Sequence, residues 1–280
     1  MRSPARPVTE LDKSDVLSGL FSTWDSLDGL LTGLSEEQWQ TPTPLPGWTV
    51  HNVVAHIIGT ESVLHGISTP EADVDVSTLA HVRNDVGVAN ECWVRHLSAE
   101  SGADLHQRFR TLIADRRKRL SDMAIDDWNA PTPTPVGPDS YGRFMRVRVF
   151  DCWMHEHDIR DALDKPASEA ELAGPAARLT LDEMATTMGF VVGKLGKAPD
   201  GSRVAIELTG PLARTIRVVV DGRARLVEGF GGLEPTATIR ADGVLCTRLA
   251  GGRTHSAAGV ELGGDKEVAA RIVEHLNYTI

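Results

Sequence analysis

The chain has 280 residues, 41% of them hydrophobic and 24% charged, an ordinary globular composition long enough for two domains or one large one. Its net charge of −10 gives a surface that repels nucleic-acid phosphate and anionic lipid, so neither is an expected partner. No apolar run reaches the roughly 18–20 residues that a membrane span needs.

The opening segment has arginines but no apolar core, so it reads as a frayed tail rather than a secretory signal. A first helix is expected from about Ser14, with Leu17, Leu20, Phe21, Trp24, Leu27 and Leu31 on one stripe. Ser35 to Gln38 spells a capping box at the start of a short helical turn. A proline-rich stretch, Thr41 to Trp48, then leads to Thr49, which can cap a helix bearing Val50, Val53, Val54, Ile57 and Ile58. An acidic loop follows, then a helical pattern with Leu79, Val82, Val86, Cys92, Trp93 and Leu97, and another running from Leu105 to Met123. In the second of these, Arg116, Arg117, Lys118 and Arg119 read as a solvated helix face. After the loop 131–138, a helix of about Ser140–Leu163 carries Phe144, Val147, Phe150, Met154 and Ile159, and a last one begins near Pro175.

At Gly196–Ser202 the texture changes from helical periodicity to alternation. Strands are expected over Val204–Leu208, Ile216–Val220, Arg223–Val227 and Ala237–Ile239, with Asp221-Gly222 as a hairpin turn. Asp242 and Asp265 can each cap a helix. Residues 1–196 therefore read as a helical bundle and 197–280 as a small α+β domain.

Two places concentrate ligand-type side chains. His56 lies beside the apolar stripe of its helix, a position open both to a core histidine bonded to a carbonyl and to a metal ligand. In the second place, Asp151 and His155 stand four residues apart and project from one helix face, able to grip one ion or to form a solvated charge pair. Asp158, three residues beyond His155, is placed to accept the other ring N–H, whereas His157 points elsewhere. Three N/O ligands would leave a coordination position open to water or substrate. There is no HExxH, GxGxxG, P-loop or GxSxG pattern. Cys92, Cys152 and Cys246 are odd in number, well separated and set among apolar neighbours. They suggest buried thiols in a reducing compartment, and with it a cytoplasmic location.

Taken together, Leu45-Pro-Gly-Trp48 through His56, and Trp153-Met-His155-Glu-His-Asp158-Ile-Arg160, resemble the mycothiol-dependent maleylpyruvate isomerase family. The resemblance covers about residues 10–195 and implies a DinB-like four-helix bundle. It also implies a divalent metal, most simply zinc, on His56, Asp151 and His155, with aspartate standing where the family has glutamate. The tail, through Asp221-Gly222, Pro235–Ile239, Arg248–Arg253 and Gly264-Asp265, is similar to sterol-carrier-protein-2 folds. The implied chemistry is activation of a low-molecular-weight thiol, mycothiol, for attack on a small electrophile, by an isomerase or S-transferase. Arg253 is a candidate for contacting an anionic substrate or the cofactor. Two other functions fit the same residues. One is non-catalytic binding of a lipid or small molecule. The other is a metal-dependent hydrolase with His157, Asp158 or Glu61 as base.

Overall fold

The computed structural model describes residues 8–79 and 81–278; most of the opening tail discussed above lies outside them. In chain order the first part comprises α1 (Lys13–Leu31), α2 (Glu36–Trp39), α3 (Val50–His65), α4 (Asp85–Leu97), α5 (Gly102–Asp122), α6 (Ile125–Trp128), β1 (Pro131–Thr132), β2 (Asp139–Ser140) and α7 (Tyr141–Ala162). Then come α8 (Glu169–Leu172), α9 (Pro175–Phe190), β3 (Arg203–Thr209), β4 (Arg214–Asp221), β5 (Arg223–Leu226), β6 (Ala237–Asp242), α10 (Gly243–Ala250), β7 (Glu261–Gly264) and α11 (Lys266–Glu274).

The helix starts follow local chemistry. Asp12, Ser35, Thr49, Ser101 and Ser140 each accept a backbone N–H of the first turn, and at Ser35 and Thr49 the reciprocal bond completes a capping box. The stripe foreseen on α1 is buried at Leu17, Leu20, Trp24, Leu27 and Leu31. The expected α4 is shorter than its pattern. It begins at Asp85 behind the Asn84 cap, Leu79 and Val82 precede it, and Val86 is half exposed.

α1 packs on α5 and α7, and α3 on α4, α5 and α7. Between α3 and α4 the helices approach closely because residue 59 is glycine: a Cβ there would meet the Trp93 ring at 2.4 Å. α7 is buried around most of its circumference. Met145, Val149 and Cys152 are fully enclosed, and charged residues such as Arg148, Glu156 and Asp158 are buried as well. Each buried charge therefore needs a partner, since an unpaired one would cost several kcal/mol.

The chain forms two compact units, one ending at Ala167 and the other beginning at Ser168. The composition change at 196/197 had suggested a later division. The difference is α9, whose helical periodicity reads like that of the preceding helices but which packs on β4 and β5. Gly189 and the following π-helical turn, Val191–Leu195, run against β5 so closely that a Cβ on Gly193 would lie 2.5 Å from that of Ala224. Helix and sheet thus share one apolar core, with Leu179, Met184 and Met188 on one side and Ile216, Val218 and Val220 on the other.

The second unit's sheet has the order β5-β4-β3-β6-β7, with β3 and β6 parallel and all other neighbours antiparallel. Val204 pairs with Val218 on one side and Ala237 on the other, which makes β3 the central strand. The Asp221-Gly222 hairpin and the Asp242 and Asp265 caps form as expected. Strand β7 and the small β1–β2 pair were not foreseen, because Gly263-Gly264 and a proline-rich loop carry little strand signal.

Candidate metal centre

His56 is set on α3 and Asp151 and His155 on α7, and the structure brings the three together. His56 Nε2 lies 3.3 Å from Asp151 Oδ2, and His155 Nε2 lies 3.6 Å from Asp151 Oδ1. The two imidazole centroids are 4.8 Å apart, with the rings edge to face. Bonds of about 2.0–2.2 Å to a tetrahedral ion place neighbouring donors roughly 3.3–3.6 Å apart; each histidine lies at such a distance from a different Asp151 oxygen, and with one donor atom taken from each residue the three lie within 4.8 Å of one another.

Each donor is held differently. His155 Nδ1 lies 3.0 Å from Asp158 Oδ2, an acceptor that keeps the proton on Nδ1 and leaves the Nε2 lone pair facing Asp151. His56 Nδ1 is buried without a hydrogen-bond partner among the described residues, so only its Nε2 side is engaged. Asp151 Oδ2 accepts from Arg148 Nη1, one turn back on α7.

The electrostatics prepare the set for a cation. Burial alone would raise the Asp151 pKa, but Arg148, His155 and His56 outweigh it and hold the carboxyl well below its usual range. Burial lowers the pKa of His56 and favours the neutral ring that a metal requires. At His155 burial acts in the same sense, yet Asp151 and Asp158 prevail and the pKa ends above its ordinary value.

The Trp48 indole lies against both histidines, with ring centroids 5.4 Å from His56 and 6.3 Å from His155. The proline-rich stretch puts it there by folding back on itself. Pro42 bridges Thr49, Thr43 N donates to Trp48 O at 2.9 Å, and Gly47 takes φ +80° at the turn. The other tryptophans had no such signal. Trp48 had one, since it stands between a rigid turn and the histidine helix.

Beneath Asp151 lies a charge chain that sequence reasoning missed. Glu61 of α3, with a fully buried side chain, accepts from Arg148 Nε and from Arg116 Nε of α5, each at 2.9 Å. Arg116 is therefore the least solvated member of the basic run that had been read as a solvated face, because its side chain is wholly enclosed. Arg117 lies over Phe21 while Lys118 and Arg119 remain at the surface, as expected. Glu61 cannot serve as a general base, with both oxygens committed to guanidinium groups. His157 turns away and lies on the Trp153 ring at 4.0 Å. Burial pushes the Cys152 thiol up to about 12, and all three cysteines are free and buried. Arg253 belongs to the second unit, where its Nη1 donates to Gly251 O.

No helix among the described residues is long and apolar enough to cross a membrane. The fold is similar to that of a solved structure, the crystal structure of the mycothiol-dependent maleylpyruvate isomerase. The match has a TM-score of 0.60 at 15% identity and covers 92% of this chain and 96% of that one. A histidine-to-alanine mutant of the same isomerase matches with a TM-score of 0.59 at 14% identity. Residues 20–160 match the mycothiol maleylpyruvate isomerase N-terminal domain and residues 178–271 the corresponding C-terminal domain. The chain belongs to the mycothiol-dependent maleylpyruvate isomerase family. An uncharacterised protein of Mycobacterium tuberculosis (strain H37Rv) is 26% identical over 209 residues, 73% of this chain and 76% of the relative. The counterpart in strain CDC 1551 matches to the same extent.

Proposed function

We propose that this protein is a metal-dependent enzyme that activates a low-molecular-weight thiol, mycothiol, for attack on a small electrophile. The helical unit is read as a DinB-like four-helix bundle and the second unit as sterol-carrier-like. The observation that carries the proposal is the convergence of His56, Asp151 and His155, each offering one donor atom, with these atoms within 4.8 Å of one another. When bound, a divalent ion, with zinc the choice for this N/O set, supplies the Lewis acidity that favours the thiolate form of the thiol.

The chain's own residues do the rest. His56, Asp151 and His155 hold the ion, Asp158 fixes the His155 tautomer, and Trp48 screens the two imidazoles. The thiolate sulfur adds to an activated double bond, and the adduct rotates. Expulsion of the thiolate by the resulting carbanion re-forms the double bond in its isomerised geometry, while protonation of that carbanion retains the sulfur and gives S-transfer. The cysteines are no competing nucleophiles, since Cys152 and Cys246 are both held at about 12 by burial. A hydrolase would need a base, and the three residues considered for it face other partners or directions.

Elemental analysis of protein purified without added metal tests the reading, alongside His56→Ala and Asp151→Ala. The expected result is near-stoichiometric metal in the parent, its loss in both variants, and turnover of an electrophile only when thiol is added. A parent that carries no metal and cannot be loaded would overturn it, and thiol-independent hydrolysis would replace it with the hydrolase reading.

A further inference from the structure

We propose that the two histidines of the centre are not equivalent: in the metal-free protein His56 carries its ring proton on Nε2 and His155 on Nδ1. Taking up an ion then obliges His56, and not His155, to change tautomer. The inference rests on reading His56, Asp151 and His155 as the ligand set.

The acceptors fix the proton positions. Asp151 is ionised, and its Oδ2 accepts from Arg148 Nη1. A carboxylate in that state accepts hydrogen bonds and donates none. His56 Nε2 stands 3.3 Å from the same Oδ2, so the hydrogen of that bond belongs to the ring. Burial favours the neutral imidazole at His56, and a neutral imidazole has a single N–H. With the proton on Nε2, His56 Nδ1 is a bare lone pair. That nitrogen is enclosed, and no acceptor among the described residues draws the proton to it.

His155 is arranged the other way round. Its Nδ1 lies 3.0 Å from Asp158 Oδ2, whereas its Nε2 is 3.6 Å from Asp151 Oδ1, too far for a hydrogen bond. Asp158 thus holds the proton on Nδ1 whether or not an ion is bound.

A metal takes a lone pair and not an N–H. His155 Nε2 needs no proton moved to Nδ1 in order to offer one. His56 Nε2 offers one only after its proton has gone to Nδ1, an exchange that leaves one proton on the ring and its charge unchanged. The ion then replaces a hydrogen bond that joins α3 to α7, and the moved proton lies on a buried nitrogen with no acceptor among the described residues. Both changes cost affinity, and neither arises at His155. His56 is therefore a latch between the two helices in the metal-free protein and the less strongly driven of the two imidazole ligands.

Long-range 15N–1H correlation spectra of the full-length protein, labelled with 15N-histidine, distinguish protonated from bare ring nitrogens. Spectra are recorded at pH 8 on metal-stripped protein and again with one equivalent of Zn2+. His56→Gln and His155→Gln each delete one ring's signals and so assign them. Through-bond correlation from ring to backbone in the parent makes the same assignment without a variant. Before Zn2+ the proton should be on Nε2 in His56 and on Nδ1 in His155; afterwards it should be on Nδ1 in both. A His56 proton already on Nδ1 before Zn2+ overturns the inference and leaves the ligand set standing, as does a His155 proton that leaves Nδ1 on loading. Zn2+ uptake with His56 Nε2 still protonated, or no uptake at all, overturns both this inference and the proposed function.

Discussion

His155 and Asp158 stand one turn apart on α7 with 3.0 Å between Nδ1 and Oδ2, so the ring's tautomer is set by the protein before any ion arrives. Asp158→Ala removes that acceptor and lets the imidazole turn. Zn2+ affinity should fall about 10–100-fold, the usual effect of losing such a partner. A competition titration against a chromogenic chelator measures it, and an unchanged affinity would show that packing alone orients His155.

Glu61 is the common partner of two enclosed guanidinium groups. Glu61→Ala leaves both without their carboxylate and should cost about 3–5 kcal/mol in urea denaturation, the range for breaking a buried ion pair from one side. Glu61→Gln keeps one acceptor oxygen and should cost less. A loss within a few tenths of a kcal/mol for either would mean that water reaches the arginines.

The cysteines give a simple chemical check. Burial raises both Cys152 and Cys246 to about 12, and Cys92 is buried as well. A disulfide reagent such as DTNB at pH 8 should label none of the three within minutes in the native protein and all three in denaturant. Rapid labelling of Cys152 in the native state would contradict the enclosed packing of α7.

A pH effect is expected at Asp139, which ties residue 9 to the start of α7. Burial tends to raise its pKa, but N–H donation from Thr9 and Ser140, with the Thr9 hydroxyl, leaves it below the ordinary 3.8. A carboxylate with a depressed folded pKa contributes stability above the unfolded value and loses it as pH falls through the folded one. The melting temperature of the parent should therefore exceed that of Asp139→Asn at neutral pH. The gap should close as pH drops below 3.8. A gap independent of pH would show that the difference does not come from the ionised carboxylate.

The grouping of the three candidate ligands was legible because each has a local signature. Asp151 and His155 share a helix face at four-residue spacing, and His56 lies beside an apolar stripe on a helix with a capped start. What supports them was not. Glu61 and Arg148 are 87 positions apart and Glu61 and Arg116 are 55 apart, and a charge paired across helices leaves no period in the sequence. A basic run then reads as solvent-facing although one of its members is enclosed. The unit boundary was hidden for a related reason. The α9 periodicity shows that one face is buried, but not whether helices or a sheet bury it.

The placement of His56 and Glu61 on one helix, and of Arg148, Asp151 and His155 on another, makes the centre a gauge of helix alignment. An axial slip of α3 by a single residue, about 1.5 Å, would pull His56 off Asp151 and Glu61 off Arg148 together. On the proposed reading, ion binding and the register of the two helices are linked equilibria. Loading the ion should slow hydrogen exchange along both helices, and any substitution that shifts their register should be felt first as lost metal.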